Sequence, residues 1–303
     1  MKAPSRFSVR LPVAAAAFAA AFQVVADTPA AAPGTASAAA PAPAATPAAV
    51  ASATPAGVPV MEGHETFVLR RSEKDYVVEL SGICLSKDGD FLWGVGDNGH
   101  FYKIGFDGSY ELLWAVAGDF EGLTIDPETG DLYVCDEPSA VLRISPPYKE
   151  AVPLFDVEEA KGMGNSGLEG LTWYRGRLYL GAQTGATLWE YSLSGEKTAD
   201  KRSLRSVVPT ISEIAGLCRE PGADRLWALD SNSNRNRPEY LPYTLYLFDG
   251  GATRLLASYP LGSFADWNPE GVCADPARGC VWIAEDCGDD CPSKLHKVRF
   301  SGL

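Results

Sequence analysis

Five short steps built on glycine recur along this chain, and their spacing restricts the fold more than any other feature. They are Ser81-Gly82-Ile83, Glu121-Gly122-Leu123, Glu169-Gly170-Leu171, Ala215-Gly216-Leu217 and Glu270-Gly271-Val272. The glycines lie 40, 48, 46 and 55 residues apart, close to the roughly 40–50 residues of one four-stranded propeller blade. Steps such as the second and fifth lead into turns like Asp126-Pro127-Glu128-Thr129-Gly130 and Asp275-Pro276-Ala277-Arg278-Gly279. An apolar-aromatic run follows: Leu92 to Val95, Leu132 to Val134, Leu178 to Leu180, Leu226 to Leu229 and Val281 to Ala284. A third run comes next in every unit, at Phe101 to Ile104, Val141 to Ile144, Leu188 to Tyr191, Leu245 to Phe248 and Leu295 to Val298. Turn-punctuated β-branched and aromatic runs at this density predict strands throughout.

The fourth strand decides the topology. Units one to four offer Leu112-Leu113-Trp114, Pro153-Leu154-Phe155, Leu204 to Val207 and Leu255-Leu256-Ala257, whereas unit five stops at Leu303. The stretch Thr66 to Arg70 is the natural replacement. The expected fold is therefore all-β: a five-bladed propeller of four-stranded blades, its last blade completed by an N-terminal strand. An open solenoid or sandwich would leave a bare strand edge that ring closure removes.

Ahead of the repeats, Lys2, Arg6 and Arg10 precede the apolar run Leu11 to Phe22 and the small residues before Asp27. This is the pattern of a secretory signal peptide over residues 1–26, and the run is short for a membrane span. Residues 27–60 are almost all Ala, Pro, Thr, Ser and Gly, the composition of a disordered, solvated linker. The propeller is then 61–303, in the periplasm or outside the cell. A net charge of −13, more negative once the basic leader is lost, disfavours nucleic acid and anionic membranes as partners. The expected partner is a small molecule or protein at one propeller face, bound by a monomer.

The acids follow the repeat. Glu121, Glu169 and Glu270 stand directly before the glycine; where that place is Ser81 or Ala215, an acid lies two residues earlier, at Glu79 or Glu213. Positions two apart on a strand share a face. The antiparallel second strand ends beside the start of the first, at Asp97, Asp136-Glu137, Gln183, Asp230-Ser231 and Glu285-Asp286. Both sets are expected at one end of the central channel, where crowded carboxylates cannot all ionise unaided. A hard cation with oxygen ligands, calcium above zinc, would relieve that repulsion. The predicted ligands are Glu79, Asp97, Glu121, Glu137, Glu169, Glu213, Glu270, Glu285 and Asp286; the plainer alternative is acids that cap turns or face water. Asp230 to Asn234 opens like an EF-hand loop, but Arg235 replaces its glycine and Leu241 its glutamate.

All seven cysteines lie within the repeats, and an oxidising compartment permits bridges. Cys287 with Cys291, around Gly-Asp-Asp, and Cys273 with Cys280, across a turn, are the expected disulfides; Cys84, Cys135 and Cys218 read as buried small residues. Three histidines and no paired C-x-x-C leave little for zinc. No G-x-S-x-G, H-E-x-x-H or phosphate-binding glycine loop is present. His100, near Asp97 in sequence, is the nearest thing to a general base. The series Trp93, Tyr133, Tyr179, Trp227 and Trp282 is expected to pack between blades.

The strings VVELSGICLSKDGDFLWGV, DFEGLTIDPETGDLYVCDEP, GLEGLTWYRGRLYLGAQ and NPEGVCADPARGCVWIAED together resemble the bacterial SdiA-regulated, YjiK-like propellers, over roughly Glu79 to Val298. NHL-type and esterase-like phytase propellers share parts of the pattern. The resemblance implies five blades, a calcium site and no established enzymatic activity. Glu121, Glu169 and Glu270 match its E-G glutamates and Glu137 the acid ending its second strand; Gln183 and Ser231 depart from it. Two functions follow as expectations: a calcium-stabilised, non-enzymatic binding or scaffold protein of the envelope, or a calcium-dependent hydrolase of phosphoesters or lactones with the metal at the channel mouth.

Overall fold

A computed structural model of the chain describes residues 57–164, 166–231, 243–262, 264–265, 268–288 and 290–303. The leader, nearly all of the linker and the part of the EF-hand-like segment beyond Ser231 lie outside the described residues. The first strand, β1 (Val60–Val68), is followed by a small hairpin of β2 (Arg70–Ser72) and β3 (Asp75–Tyr76). Blade one is β4 (Leu80–Leu85), β5 (Leu92–Gly96), β6 (His100–Ile104) and β7 (Tyr110–Ala115). Blade two is β8 (Phe120–Ile125), β9 (Leu132–Asp136), β10 (Ala140–Ile144) and β11 (Val152–Asp156). Blade three is β12 (Leu168–Tyr174), β13 (Arg177–Ala182), β14 (Thr187–Ser192) and β15 (Lys197–Ser203). Blade four is β16 (Gly216–Arg219), β17 (Arg225–Asp230), β18 (Thr244–Asp249) and β19 (Leu255–Pro260). Blade five holds β20 (Asn268–Asp275), β21 (Cys280–Asp286) and β22 (Lys294–Ser301), and β1 pairs antiparallel with β22 as its outer strand. N- and C-terminal segments thus complete one sheet, but the closing strand runs earlier than the expected Thr66 to Arg70, and Arg70 belongs to the hairpin instead.

The glycine steps have a physical cause. In blades one, two, three and five the ladder register shifts at the step, between Leu80 and Gly82, Phe120 and Leu123, Leu168 and Gly170, and Pro269 and Val272. Such a bulge bends the strand and twists it more strongly. The inner strands β4, β8, β12, β16 and β20 then meet their neighbours around a closed ring. At the step they come too close for a side chain. A Cβ on Gly82 would lie 2.1 Å from the carbonyl oxygen of Glu121, one on Gly122 2.5 Å from that of Glu169, one on Gly216 2.2 Å from that of Glu270, and one on Gly271 2.6 Å from that of Ser81. The repeated glycine is the clearance that lets one blade's inner strand touch the next.

Five apolar clusters fill the seams between blades, and each contains one member of the second-strand aromatic series: Trp93, Tyr133, Tyr179, Trp227 and Trp282. Trp227 and Trp282 are fully buried; truncating either to alanine costs about 3–5 kcal/mol by comparison with other core aromatics.

Two further sequence expectations are corrected. The fourth strand of blade three is Lys197–Ser203, and Leu204–Ser206 is a 3-10 turn whose Leu204 inserts into the seam between blades three and four. An outer strand exposed along most of its length is polar, so the apolar residue beside it marked the anchor rather than the strand. Cys287 and Cys291 are bridged, with Cα atoms 5.5 Å apart, but Cys273 and Cys280 are free thiols. Cys273 pairs with Trp282 and Cys280 with Asp275, which makes the two cysteines diagonal neighbours. Diagonal positions are about 7–8 Å apart, beyond the reach of a disulfide.

Candidate functional site

The bulged starts of the inner strands face the ends of the second strands at one end of the axis. Glu121 and Glu169 lie on the bulges of β8 and β12, buried to 8% and 6% exposure. Glu270 sits on that of β20, where Asn268 Nδ2 donates a hydrogen bond to its Oε1. Glu137, just past β9, comes from the other set and accepts the Gly167 N–H at 2.8 Å. Asp119, Glu121 and Glu137 each place a carboxylate oxygen within 4.8 Å of the others, a separation a single metal ion can bridge.

The electrostatics are those of like charges out of water. Burial first, then the neighbouring carboxylates, push Glu121, Glu169 and Glu270 well above the ordinary carboxylate range. Glu121 feels Glu169, Glu270, Glu137 and Asp97; Glu169 feels Glu270, Glu137 and Glu213; Glu270 feels Asp286, Asp97 and Glu213. Glu169 and Glu137 share a hydrogen bond that favours the protonated form of Glu169 and the ionised form of Glu137. Glu213 is almost fully buried and accepts the Ser231 hydroxyl. The structure therefore brings seven of the nine expected acids into one interacting group: Asp97, Glu121, Glu137, Glu169, Glu213, Glu270 and Asp286.

One expected ligand, Glu285, is paired within its own blade. Glu285, fully buried, pairs with Lys294 at 2.7 Å and with His296 Nε2 at 3.0 Å, while His296 Nδ1 meets Thr66 Oγ1 at 2.9 Å. Adjacent strand residues point to opposite faces, so Asp286 beside the axis turns Glu285 into the blade, where it helps to hold β1 against β22. Glu79 has a left-handed backbone (φ 51°) just before β4 and acts on Tyr102. His100 Nδ1 is engaged by the Tyr102 hydroxyl at 2.9 Å. Asp119 is the residue that sequence reasoning missed. It stands two residues before Glu121, the offset that singled out Glu79 and Glu213, but Glu121 already filled the acid place in that repeat. Burial and the Asp136 carboxylate beneath it push its pKa up, and its backbone N–H bonds to Asp136 Oδ1 at 2.7 Å.

The other end of the axis is chemically different. Between the two ends, Gly82, Gly122, Gly216 and Gly271 narrow the axial space to a void of about 10 Å³. Beyond it the far ends of the inner strands line a largely apolar cavity of about 650 Å³, which includes Leu123, Trp173, Leu217 and Val272. At its rim the Arg219 guanidinium stacks on Tyr174 at 3.8 Å from the ring centre.

No protein-family model matches the chain, and no curated protein matches it. Among solved structures, the glutaminyl cyclase of Myxococcus xanthus is 13% identical, covering 80% of this chain and 96% of its own length with a TM-score of 0.56. A gluconolactonase of Xanthomonas campestris is 13% identical over 78% of this chain and 90% of its own, with a TM-score of 0.49. A Bacteroides thetaiotaomicron protein of unknown function is 16% identical over 72% and 58%, with a TM-score of 0.48. At 13% identity the likeness to the cyclase is one of fold alone.

Proposed function

We propose that this chain is an exported, calcium-binding propeller of the bacterial envelope, of the SdiA-regulated, YjiK-like kind, acting as a binding or scaffold protein rather than a catalyst. The observation that carries the reading is the Asp119, Glu121 and Glu137 group, with oxygens within 4.8 Å, set beside the buried Glu169 and Glu270. An all-carboxylate donor set in a rigid backbone frame suits a hard cation that takes six to eight oxygens. Asp119, Glu121 and Glu137 would hold calcium, with Glu169 and Asp97 close by. The ion would supply positive charge where repulsion otherwise keeps protons on the acids, and would tie blade two to its neighbours. The signal-peptide pattern of residues 1–26 supports export. Among the described residues no helix is long and apolar enough to cross a membrane.

Metal content of protein purified without chelator, paired with thermal melts in calcium and in EDTA, tests this reading. At a hundredfold excess over Kd, calcium adds about 2.7 kcal/mol, about 5–10 °C for a domain of this size. Glu121→Gln should abolish that gain while leaving the EDTA melt equal or higher, because the neutral amide removes a repelling charge. Protein that carries no calcium and melts identically in both buffers would sink the proposal.

One observation favours the hydrolase reading: burial raises the pKa of Glu137 toward the neutral range, where a carboxylate can serve as a base activating water. Turnover of a generic phosphoester or lactone, lost in Glu169→Gln, would establish that reading; inactivity across an ester panel would remove it.

A further inference from the structure

The cavity at the far end of the axis is graded in polarity from floor to mouth. Its floor is made by residues that directly follow the glycine steps. Ile83, Leu123, Leu217 and Val272 line both the cavity and the void of about 10 Å³ beneath it. A void of that size holds at most one water, so the cavity is closed toward the acid end. Midway up the wall, Thr124 Oγ1 accepts the Trp173 backbone N–H at 2.9 Å and Thr172 Oγ1 accepts the Arg219 backbone N–H at 2.8 Å. These bonds between blades satisfy backbone donors that would otherwise border apolar space.

Charge is concentrated at the mouth. Tyr174 ends β12, and the Arg219 and Arg175 guanidiniums stand 3.8 Å and 4.7 Å from the centre of its ring. Arg219, its side chain only 5% exposed, has Asp224 at 3.5 Å. Glu220 is taken up by the Arg225 guanidinium and by Trp227 Nε1 at 3.0 Å. Arg175, exposed on the turn after β12, has no ion pair among the described residues. With the two pairs cancelled, one positive charge remains at the mouth of a cavity in a chain of net charge −13. The buried polar atoms of the lining that lack a partner have the same preference: Trp173 Nε1 and Arg219 Nε are both donors without an acceptor.

We propose that this cavity binds a medium-chain fatty acid, with its tail on the Ile83, Leu123, Leu217 and Val272 floor and its carboxylate at Arg175. The closed apolar floor suits the end of a hydrocarbon chain, which asks for no hydrogen bond. The unmatched cation and the orphan donors select a ligand that brings acceptors and negative charge, which excludes an amine. Asp224 is 64% exposed and already holds the Tyr174 hydroxyl, so water screens its repulsion of the head group. A volume of about 650 Å³ lies within the range of sites that enclose small ligands, about 300–1,000 Å³. The site stands at the opposite end of the axis from the carboxylates, so it does not depend on an ion bound there.

Calorimetric titration of the folded chain with decanoate in EDTA tests this, because no ion at the acid end can then hold the carboxylate. One decanoate per chain is expected. Octanoate should bind about fifteenfold more weakly, since each buried methylene is worth a factor of about four, and decylammonium at least tenfold more weakly. Arg175→Glu should weaken decanoate at least tenfold and leave the binding of decanol unchanged; Arg175 is exposed, so the melt should not move. Photolysis of a fatty acid carrying a terminal diazirine, followed by peptide mapping, should label Leu123, Leu217 or Val272. Labels on Leu112 and Leu113, exposed on β7, would mean adsorption to the surface and would overturn the proposal. Decanoate that fails to bind in EDTA, or binds Arg175→Glu as tightly as the parent, would overturn it equally.

Discussion

Glu121, Glu169 and Glu270 are groups whose folded pKa lies above its unfolded value, and the sign of the resulting pH dependence follows. Below the ordinary carboxylate pKa of about 4 both states are protonated and no penalty exists. As pH rises, the unfolded chain ionises first while the folded one resists, so the penalty builds and is complete only above the raised folded values. Cation-free protein should therefore lose stability as pH rises from about 5 to 8. Calcium should flatten that slope and release protons on binding. Melts across this range in EDTA and in calcium check both statements, and a metal-free protein that gains stability with rising pH would contradict them. That these three glutamates gather near one another was readable from their repeat position. The diversion of Glu285 was not: its partners Lys294 and His296 lie on the neighbouring strand, outside the repeated acid pattern.

Strands rich in β-branched and aromatic residues on both faces are legible because they are buried on both. Outer strands are not, and the polar Lys197–Ser203 illustrates it. The glycine step belongs to this scale too. Gly82→Ala would press a methyl group to 2.1 Å from the Glu121 carbonyl oxygen, and overpacking of this kind costs about 1–3 kcal/mol, a fall of about 3–10 °C in melting temperature. Gly162→Ala is the control, since a Cβ there would meet nothing within 4 Å; its effect should stay within about 0.5 kcal/mol. Equal melts for the two variants would show that the step is not the clearance between blades. The seam aromatics, by contrast, were expected from their recurrence once per repeat on the second strand.

Closure of the ring rests on one strand. β1 covers β22 from Val60↔Ser301 to Val68↔Lys294, so a chain beginning at Leu69 would expose an entire β22 edge to pairing with other copies. Such a truncation should shift the protein from a single species to aggregates on size-exclusion chromatography; a stable single species of native melting temperature would refute the closure argument. Taken as a linear string, the chain determined that there are five blades, that the last borrows an N-terminal strand, and that each inner strand begins near an acid. These are periodic properties, and a repeat carries them in its spacing. What only the tertiary structure decided is which residues meet across strands: Asp119 with Glu121 and Glu137, and Glu285 with His296 and Lys294, while Cys273 and Cys280 stay unbridged. Those pairings depend on where bulges shift the register and on how closely glycine lets neighbouring strands approach. Both are properties of the closed ring, set by contacts between residues far apart in the chain.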